Sequence, residues 1–246
     1  MIKNKKILVT GTTSGLGKAI VEYFSKENEI VSINRKDKVP ELVLNSKNYN
    51  IDITNYENVK NLLMELQKNN TVPDYFILNA GINIYDNLDH FNLNNFKKCF
   101  DINFYGTMNF VGALEDLQIK NKTILFMSST SNIIPNPAAF GYYSSKYLLF
   151  KSIEYLNKNK SNLYKAIILG PVETNISRNL EIPKGLSKLL LNFLNIRPEL
   201  VVRPIEKFLL NKKSYLYFTF KAYIVYNIIY PILKIFPFLY KGPRKN

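Results

Sequence analysis

Short apolar runs alternate with amphipathic stretches along the first two-thirds of the chain, and this alternation restricts the fold more than any other feature of the sequence. Each run has the length and composition of a buried strand, while the stretches between the runs carry apolar residues at helical spacing. Such alternation is typical of a parallel sheet covered by helices on both faces. The predicted strands are residues 6–10, 29–34, 49–53, 74–79, 122–128 and 164–169, and residues 214–220 alternate like a seventh.

The predicted helices lie between these strands. They cover residues 16–26, 55–68 and 93–117 and a stretch that includes residues 141–147. No internal repeat or linker interrupts the pattern, so we expect one doubly wound, Rossmann-like α/β domain over residues 1–246, with its core in residues 1–178. In such a fold, ligands bind at the carboxyl ends of the strands.

The composition fits a globular protein of one domain. The chain has 246 residues, of which 46% are hydrophobic, and this is enough for a sizeable core. Cys99 is its one cysteine and His90 its one histidine, so we expect neither an intramolecular disulfide nor a metal site. Residues 1–6 run directly into the first strand without the features of a signal peptide. Together with the single cysteine, this predicts a cytoplasmic protein.

A glycine-rich turn joins the first predicted strand to the first predicted helix. It reads T-G-T-T-S-G-L-G over residues 10–17 and contains Gly11, Gly15 and Gly17. Glycine allows a tight turn and a close approach of the backbone to a ligand, and the N–H groups at the start of a helix attract phosphate. The turn is therefore a candidate nucleotide-binding site, although its G-x-x-x-G-x-G spacing differs from the G-x-G-x-x-G form.

Further polar motifs follow at the ends of the later strands and in two of the helices. The fourth predicted strand ends in Asn-Ala-Gly at residues 79–81, and the long helix after it contains Asn103. Ser129 follows the fifth strand and lies 13 residues before Tyr142, which has Lys146 four residues after it. A lysine one helical turn from a tyrosine lies on the same face of the helix.

The sixth predicted strand runs into L-G-P-V-E-T at residues 169–174. In their order and spacing, this motif, the glycine-rich turn and the motifs above resemble those of the short-chain dehydrogenase/reductase family. The resemblance covers roughly residues 3–178, and it departs from the family pattern at Leu169, where the family has proline. The family resemblance implies an NAD(P)-dependent oxidoreductase that interconverts a ketone or aldehyde with its alcohol.

The resemblance also selects one tyrosine from the crowded stretch G-Y-Y-S-S-K-Y at residues 141–147. Tyr142 has both the lysine and the preceding serine at the family's distances. Tyr143 has a tyrosine in place of the lysine, and Tyr147 has Lys151 four residues on but no serine at the matching distance before it. Tyr142 is therefore the predicted proton donor.

The implied catalytic roles fall on four side chains. Tyr142 would act as general acid and base, and Lys146 would lower the phenol's pKa from its usual value of about 10 and bind the nicotinamide ribose. Ser129 would polarise the substrate oxygen, and Asn103 would hold a water in the proton relay. The residues expected to contact the cofactor are Gly11, Thr13, Ser14, Gly15, Leu16, Gly17, Asn34, Arg35, Asp52, Ile53, Asn79, Ala80, Gly81, Tyr142, Lys146, Pro171, Val172 and Thr174.

The residues after the second predicted strand favour NADP(H), with NAD(H) as the alternative. An acidic side chain there would bind the adenosine ribose and repel a 2′-phosphate, but the strand is followed by Arg35 and Lys36. A guanidinium can bind a phosphate with two hydrogen bonds. Asp52 and Ile53, after the third strand, match the family's adenine contact.

The last quarter of the chain is strongly basic. Of the net charge of +14, residues 178–246 carry +10, and residues 215–240 contain ten Phe or Tyr residues and no acid. Residues 175–198 are expected to cover the substrate. The charged residues leave no stretch long enough to span a membrane. Residues 214–246 would instead lie on an anionic membrane surface, or they would pack on the domain or on a second subunit. A third possibility is that they dock an acidic acyl carrier protein. Nucleic-acid binding is not expected, because no recognition motif accompanies the charge.

These features together predict an NADPH-dependent reductase of a lipophilic or acyl carbonyl compound. The alternative is a non-catalytic nucleotide-binding or interaction protein on the same scaffold, because a fold does not determine a function. The family resemblance further implies a homo-oligomer, either a dimer or a tetramer.

Overall fold

The computed structural model describes residues 1–35, 45–85, 91–129, 139–158, 161–174 and 196–218. Within this part of the chain, seven strands form one sheet in the order β3-β2-β1-β4-β5-β6-β7, and all neighbouring strands are parallel. The strands are β1 (Lys6–Thr10), β2 (Glu29–Asn34), β3 (Ser46–Asn50), β4 (Tyr75–Leu78), β5 (Thr123–Ser129), β6 (Leu163–Leu169) and β7 (Tyr215–Tyr217). The Rossmann-like sheet of seven strands predicted from the sequence is confirmed.

Helices cover both faces of the sheet. They are α1 (Gly15–Phe24), α2 (Tyr56–Lys68), α3 (Leu93–Phe100), α4 (Gly106–Asp116), α5 (Phe140–Leu156) and α6 (Pro198–Leu210). Successive strand residues point to opposite faces, so Leu8 packs in the core beneath α2, α4 and α5, while Ile7 and Val9 pack in the core beneath α1 and α6. Because both faces of the central strands are buried, β1, β4 and β5 are largely apolar runs.

The third strand lies at residues 46–50 and not at the predicted residues 49–53. Among the described strands it lies at the edge and pairs with β2, from Ile30 opposite Ser46 to Asn34 opposite Asn50. Its sequence is S-K-N-Y-N, and backbone pairing with β2, not hydrophobic character, sets its position. The prediction followed the apolar residues and was therefore displaced toward the C-terminus.

The helix predicted at residues 93–117 is divided in the structure. Between α3 and α4, residues Asp101–Tyr105 form a π-helical turn, in which one additional residue is accommodated in the helix. Asn103 lies in this turn and is completely buried. The sequence predicted the helical stretch but not the π-helical turn within it. The extra residue of this turn changes the direction in which the side chains around Asn103 point.

A buried lysine holds the C-terminal end of α6. Lys165 in β6 is inaccessible to solvent, and its Nζ donates hydrogen bonds to the carbonyl oxygens of Phe208 at 3.0 Å, Lys213 at 2.8 Å and Asn211. It also lies 4.6 Å from the centroid of the Phe208 ring. The last carbonyl groups of a helix lack partners within the helix, so the ammonium group supplies the donors they need.

Two segments that the sequence analysis singled out lie outside the described residues: most of the predicted substrate cover, at 175–195, and the basic aromatic extension, from residue 219 onward. In the described part of the chain, no helix combines the length and the hydropathy that a membrane-spanning segment needs.

Candidate active site

The glycine-rich turn is fastened to the centre of the sheet by side chains from neighbouring strands. The Asn79 amide donates to the carbonyl oxygens of Thr10 and Gly11, both at 3.1 Å, and the Ala80 N–H donates to Thr10 Oγ1 at 2.9 Å. On the other side, the Thr12 N–H donates to Asn34 Oδ1 at 2.8 Å, and Asn34 Nδ2 donates to Thr12 Oγ1 at 2.7 Å. The turn is thus held in one conformation by bonds from both neighbouring strands.

The glycines in this turn stand where a side chain has no room. Gly11 has a φ of 71°, and a Cβ added to it would lie 2.9 Å from the Ala80 Cα. A Cβ on Gly17 would overlap the Gly11 carbonyl oxygen and lie 2.7 Å from the Asn79 amide nitrogen. The close packing brings the first turn of α1 directly against the end of β1, as a phosphate site at this edge requires.

The start of α1 has backbone donors to offer. Ser14 is the N-cap residue, but its side chain makes no capping hydrogen bond, and the first turn contains no acidic residue. The first N–H groups of a helix have no acceptor within the helix and carry a partial positive charge. The predicted phosphate site at residues 11–17 therefore has backbone donors and no acidic side chain in the first helical turn.

We expect Gly17→Ala to disrupt this turn. The added methyl group meets backbone, which cannot rotate away, so the turn must shift, and we expect a loss of about 3 kcal/mol in the free energy of unfolding. Binding of NADP(H) should weaken at least tenfold. Urea unfolding and cofactor titration would measure the two effects, with Gly112→Ala in α4 as the control, since a Cβ there meets only the Tyr56 ring at 3.4 Å. A Gly17→Ala protein with the parent's stability would contradict this prediction.

The predicted adenosine contacts lie at the same edge of the sheet. Arg35 follows β2 and is exposed, whereas Asn34 is buried and its amide is used to hold Thr12. Asp52 Oδ1 accepts hydrogen bonds from the N–H and the hydroxyl of Thr54, and the Ile53 carbonyl oxygen accepts one from Asn109. Arg35 is therefore exposed at this edge, whereas the polar groups of Asn34 are tied into the scaffold.

The segment after β6 lies against the glycine-rich turn. A Cβ on Gly15, whose φ is 56°, would lie 2.9 Å from Thr174 Cγ2. Val172 pairs with Ile196, because the Ile196 N–H donates to the Pro171 carbonyl oxygen at 3.0 Å. The predicted contacts at residues 171–174 are thus brought beside residues 11–17.

The four predicted catalytic residues come from three elements that meet at the carboxyl ends of the central strands. Ser129 is the last residue of β5, Tyr142 and Lys146 lie in α5, and Asn103 lies in the π-helical turn. The Ser129 and Tyr142 side chains are hydrogen-bonded to each other. Lys146 Nζ lies 5.9 Å from the centroid of the Tyr142 ring and donates to the Met127 carbonyl oxygen at 2.8 Å.

Burial dominates the ionisation of this group. It raises the pKa of Tyr142 above its ordinary value, against the opposing effect of the hydrogen bond with Ser129. It also lowers the pKa of Lys146 to about 8. The net direction for the pKa of Tyr142 is therefore upward in this geometry. The lowering by Lys146 that the family resemblance implies stays a prediction.

Asn103 is held by a network that sequence reasoning did not find. Its Oδ1 accepts from the Ile82 N–H at 2.8 Å, and its Nδ2 donates to the Ile82 carbonyl oxygen at 2.9 Å and to the Ser145 hydroxyl at 3.0 Å. Ser145 in turn donates to the Tyr142 carbonyl oxygen at 2.8 Å. In the sequence, the sign of this role is that Ser145 directly precedes Lys146 in the predicted catalytic helix. Its buried hydroxyl joins the π-helical turn to the helix that carries Tyr142.

In the described ranges, no group of three or more His, Cys, Asp or Glu side chains could hold a metal ion. Fold and site together define a Rossmann-like α/β protein with a dinucleotide-type glycine turn and a serine, tyrosine and lysine set beside it.

Comparison with known proteins gives the family. The profile of a family described as short chain dehydrogenase matches residues 5–184. The chain therefore belongs to the short-chain dehydrogenase family, whose members are NAD(P)-dependent oxidoreductases that act on CH–OH groups. The resemblance drawn from the motifs is confirmed.

Similar proteins include an uncharacterized oxidoreductase of Saccharomyces cerevisiae, 29% identical over 72% of this chain and 74% of the yeast protein. A glucose 1-dehydrogenase of Gluconobacter oxydans is 28% identical over 58% of each chain. Among solved structures, a short chain dehydrogenase from Burkholderia cenocepacia in complex with NADP has a TM-score of 0.76, with 20% identity and coverage of 98% and 99% of the two chains. A 4-hydroxyisoleucine dehydrogenase complexed with NADH has a TM-score of 0.73, with 22% identity over 87% of this chain and 96% of that chain.

Proposed function

We propose that this protein catalyses NADPH-dependent reduction of a ketone or aldehyde to its alcohol. The observation that carries the proposal is the Tyr142 phenol, hydrogen-bonded to Ser129 and placed beside Lys146. A carbonyl oxygen that becomes an alkoxide needs a hydrogen-bond donor and a proton, and two adjacent hydroxyl groups supply both. The test is consumption of NADPH with a panel of ketones and aldehydes, and no consumption with any of them would contradict it.

The protein's part in the reaction is to position the carbonyl and deliver the proton. When bound, the dihydronicotinamide supplies a hydride to the carbonyl carbon. The Ser129 hydroxyl donates a hydrogen bond to the carbonyl oxygen, and the Tyr142 phenol transfers its proton to that oxygen as negative charge develops. Lys146 then stabilises the phenolate and, with its pKa of about 8, returns a proton to it. Asn103 ties the loop after β4 to Ser145, the residue before Lys146. It would also hold a water molecule through which Lys146 exchanges protons with solvent.

The chain's own residues fit a dinucleotide. The turn at residues 11–17 would hold the pyrophosphate, and Arg35 would meet the adenosine end. Asp52 and Ile53 would flank the adenine, and the strand-end motif Asn79-Ala80-Gly81 would lie beneath the central part of the cofactor. Pro171, Val172 and Thr174 would contact the nicotinamide end, together with Tyr142 and Lys146.

We expect NADPH to bind at least tenfold more tightly than NADH, and Arg35→Ala to remove most of the difference. A charge-assisted hydrogen bond to the 2′-phosphate contributes about 1.5–3 kcal/mol, which corresponds to roughly a 10- to 100-fold change in affinity. Calorimetric titration of both cofactors against the parent and the variant would measure this. Arg203→Ala, an exposed arginine in α6, is the control. Equal affinities of the parent protein for the two cofactors would contradict the preference.

The substrate is proposed to be lipophilic or to carry an acyl group. This part of the proposal rests on the sequence of the cover and of the aromatic extension, which lie outside the described residues. The proteins similar to this chain include dehydrogenases named for glucose and for 4-hydroxyisoleucine, so polar substrates occur on this fold as well. Chain-length dependence of kcat/KM over a series of methyl ketones would measure the preference.

A second copy of the chain is the proposed partner of an exposed aromatic face. Phe91, Phe140 and Leu148 are 63%, 49% and 40% exposed, and Phe91 and Phe140 both pack against Phe96. Exposed apolar patches of this kind mark protein interfaces, and this one is carried by α5 and the start of α3. A homo-oligomer that buries this face is therefore proposed. The cytoplasmic location and the peripheral membrane contact of the extension remain predictions from the sequence.

A non-catalytic nucleotide-binding protein is the alternative. The connected arrangement of Ser129, Tyr142, Lys146 and Asn103 favours the enzyme, because a protein that only binds a nucleotide needs no proton donor at the nicotinamide end.

A further inference from the structure

The loop that follows β4 is fixed against the catalytic residues. Both backbone groups of Ile82 are hydrogen-bonded to the buried Asn103 side chain. A Cβ added to Gly81 would lie 3.1 Å from Asn103 Oδ1 and 3.3 Å from Lys146 Nζ. The loop therefore passes directly over the lysine, and Tyr85, four residues after Gly81, lies close enough to Tyr142 to interact with it electrostatically.

The Asn83 side chain has an unused acceptor. Its Oδ1 is buried and has no hydrogen-bond partner among the described residues. A buried polar atom without a partner costs about 1–3 kcal/mol, and most such atoms in proteins are satisfied. Here Asn83 directly follows Ile82, whose backbone is bonded to Asn103 beside the catalytic group, and this position points to a ligand as the missing donor.

Tyr85 places a hydroxyl group beside this acceptor. The Asn83 and Tyr85 side chains are hydrogen-bonded, and Tyr85 also interacts electrostatically with the Tyr142 phenol. Burial raises the pKa of Tyr85 to about 12, so this second phenol keeps its proton at any pH at which the enzyme would work. Because its oxygen accepts from the Asn83 amide, its O–H remains the donor that it can offer to a ligand.

We propose that Asn83 and Tyr85 recognise a hydroxyl group next to the reacting carbonyl, and that the substrate is a hydroxy-substituted ketone or aldehyde. This inference deepens the proposed reductase function and rests on it. A hydroxyl group both donates and accepts hydrogen bonds. It can therefore donate one to Asn83 Oδ1 and accept one from the Tyr85 O–H. A second carbonyl or an ether cannot donate to Asn83, and an ammonium group cannot accept from Tyr85.

A lipophilic remainder of the substrate is compatible with this pair. Asn83 and Tyr85 act close to Tyr142, so they leave the rest of the substrate unconstrained. What the pair determines is the substituent on the carbon beside the carbonyl. A site with a buried group that requires a hydrogen bond discriminates strongly against an analogue that lacks the bonding group.

The test compares hydroxyacetone with butanone, in which a methyl group replaces the hydroxyl. We expect the ratio of kcat/KM for hydroxyacetone to that for butanone to fall at least tenfold in Asn83→Leu relative to the parent protein. Tyr85→Phe, which keeps the ring and removes only the donor, should lower the same ratio by a smaller factor. Asn58→Leu, on the exposed face of α2, is the matched control and should keep the parent's ratio.

The comparison of variants removes the effect of intrinsic reactivity, because hydroxyacetone is the more electrophilic ketone with any catalyst. A parent that reduces both ketones, with an unchanged ratio in both Asn83→Leu and Tyr85→Phe, would overturn the inference and leave the proposed reductase function intact. A parent that binds NADPH but reduces no carbonyl compound would overturn the proposed function and this inference with it. Cofactor titration of each variant shows whether the cofactor site is still formed.

Discussion

Replacing Tyr142 with phenylalanine is expected to lower kcat for carbonyl reduction about a thousandfold, because general acid catalysis contributes roughly 10²- to 10⁴-fold. The ring remains, so the packing of α5 should not change, and only the proton and the hydrogen bond with Ser129 are removed. NADPH affinity and KM should change little, since the interaction that is lost develops in the transition state. Initial rates of NADPH consumption, together with cofactor titration, would measure both quantities.

Tyr147→Phe is the matched control for this experiment. Tyr147 lies in the same helix, also has a lysine four residues after it, and is 41% exposed at the surface. Its phenol should be dispensable, so this variant should keep the parent's kcat. Reduction at the parent's rate by Tyr142→Phe would show that another group supplies the proton and would overturn the mechanism.

Replacing Lys165 with methionine is expected to lower the free energy of unfolding by about 2 kcal/mol. Methionine fills a similar volume but leaves the carbonyl oxygens of Phe208, Asn211 and Lys213 without their donor. Removing the buried ammonium group also removes the cost of its desolvation, which is favourable. The carbonyl oxygen of the buried Phe208 is left without a donor, however, and we expect this cost to be the larger. Urea unfolding would measure the difference, with the exposed Lys207→Met in the same helix as control.

The effect of Lys165→Met should grow between pH 8 and pH 10. Burial lowers the pKa of Lys165 to about 8, whereas the unfolded chain keeps the ordinary value of about 10.5. Over that range the unfolded state binds more protons than the folded state, so the stability of the parent rises with pH. The methionine variant lacks this contribution, and the two unfolding free energies should diverge. A difference that shrinks as the pH rises would contradict the assigned environment of Lys165.

The sequence predicted those parts of the molecule in which chemistry and position are both local. The strands β1 and β2 lie where their apolar runs indicated, and the glycine-rich turn follows β1 directly. Ser129, Tyr142 and Lys146 are recognisable because a strand end and one helical turn hold them at short distances along the chain. For these features, spacing in the sequence is a direct measure of spacing in the fold.

Features that depend on contacts between distant segments were not predictable in this way. The polar strand β3 is located by its pairing with β2, and the π-helical turn around Asn103 carries no local signal in the sequence. The unsatisfied oxygen of Asn83 is evident only once its surroundings are known. The raised pKa of Tyr142 likewise follows from desolvation in the folded chain. The local spacing of Tyr142 and Lys146 in the sequence does not reveal this desolvation.

The bonds from Asn79 to Thr10 and Gly11 also have a consequence for the order of events during synthesis on the ribosome. The turn at residues 11–17 leaves the exit tunnel well before β4, which pairs with β1 from Ile7 opposite Tyr75 to Val9 opposite Ile77. Until β4 is synthesised, Asn34 can hold the turn from the side of β2, but the bonds from Asn79 cannot form. The nucleotide site is therefore completed late, when a strand encoded far downstream inserts beside the first.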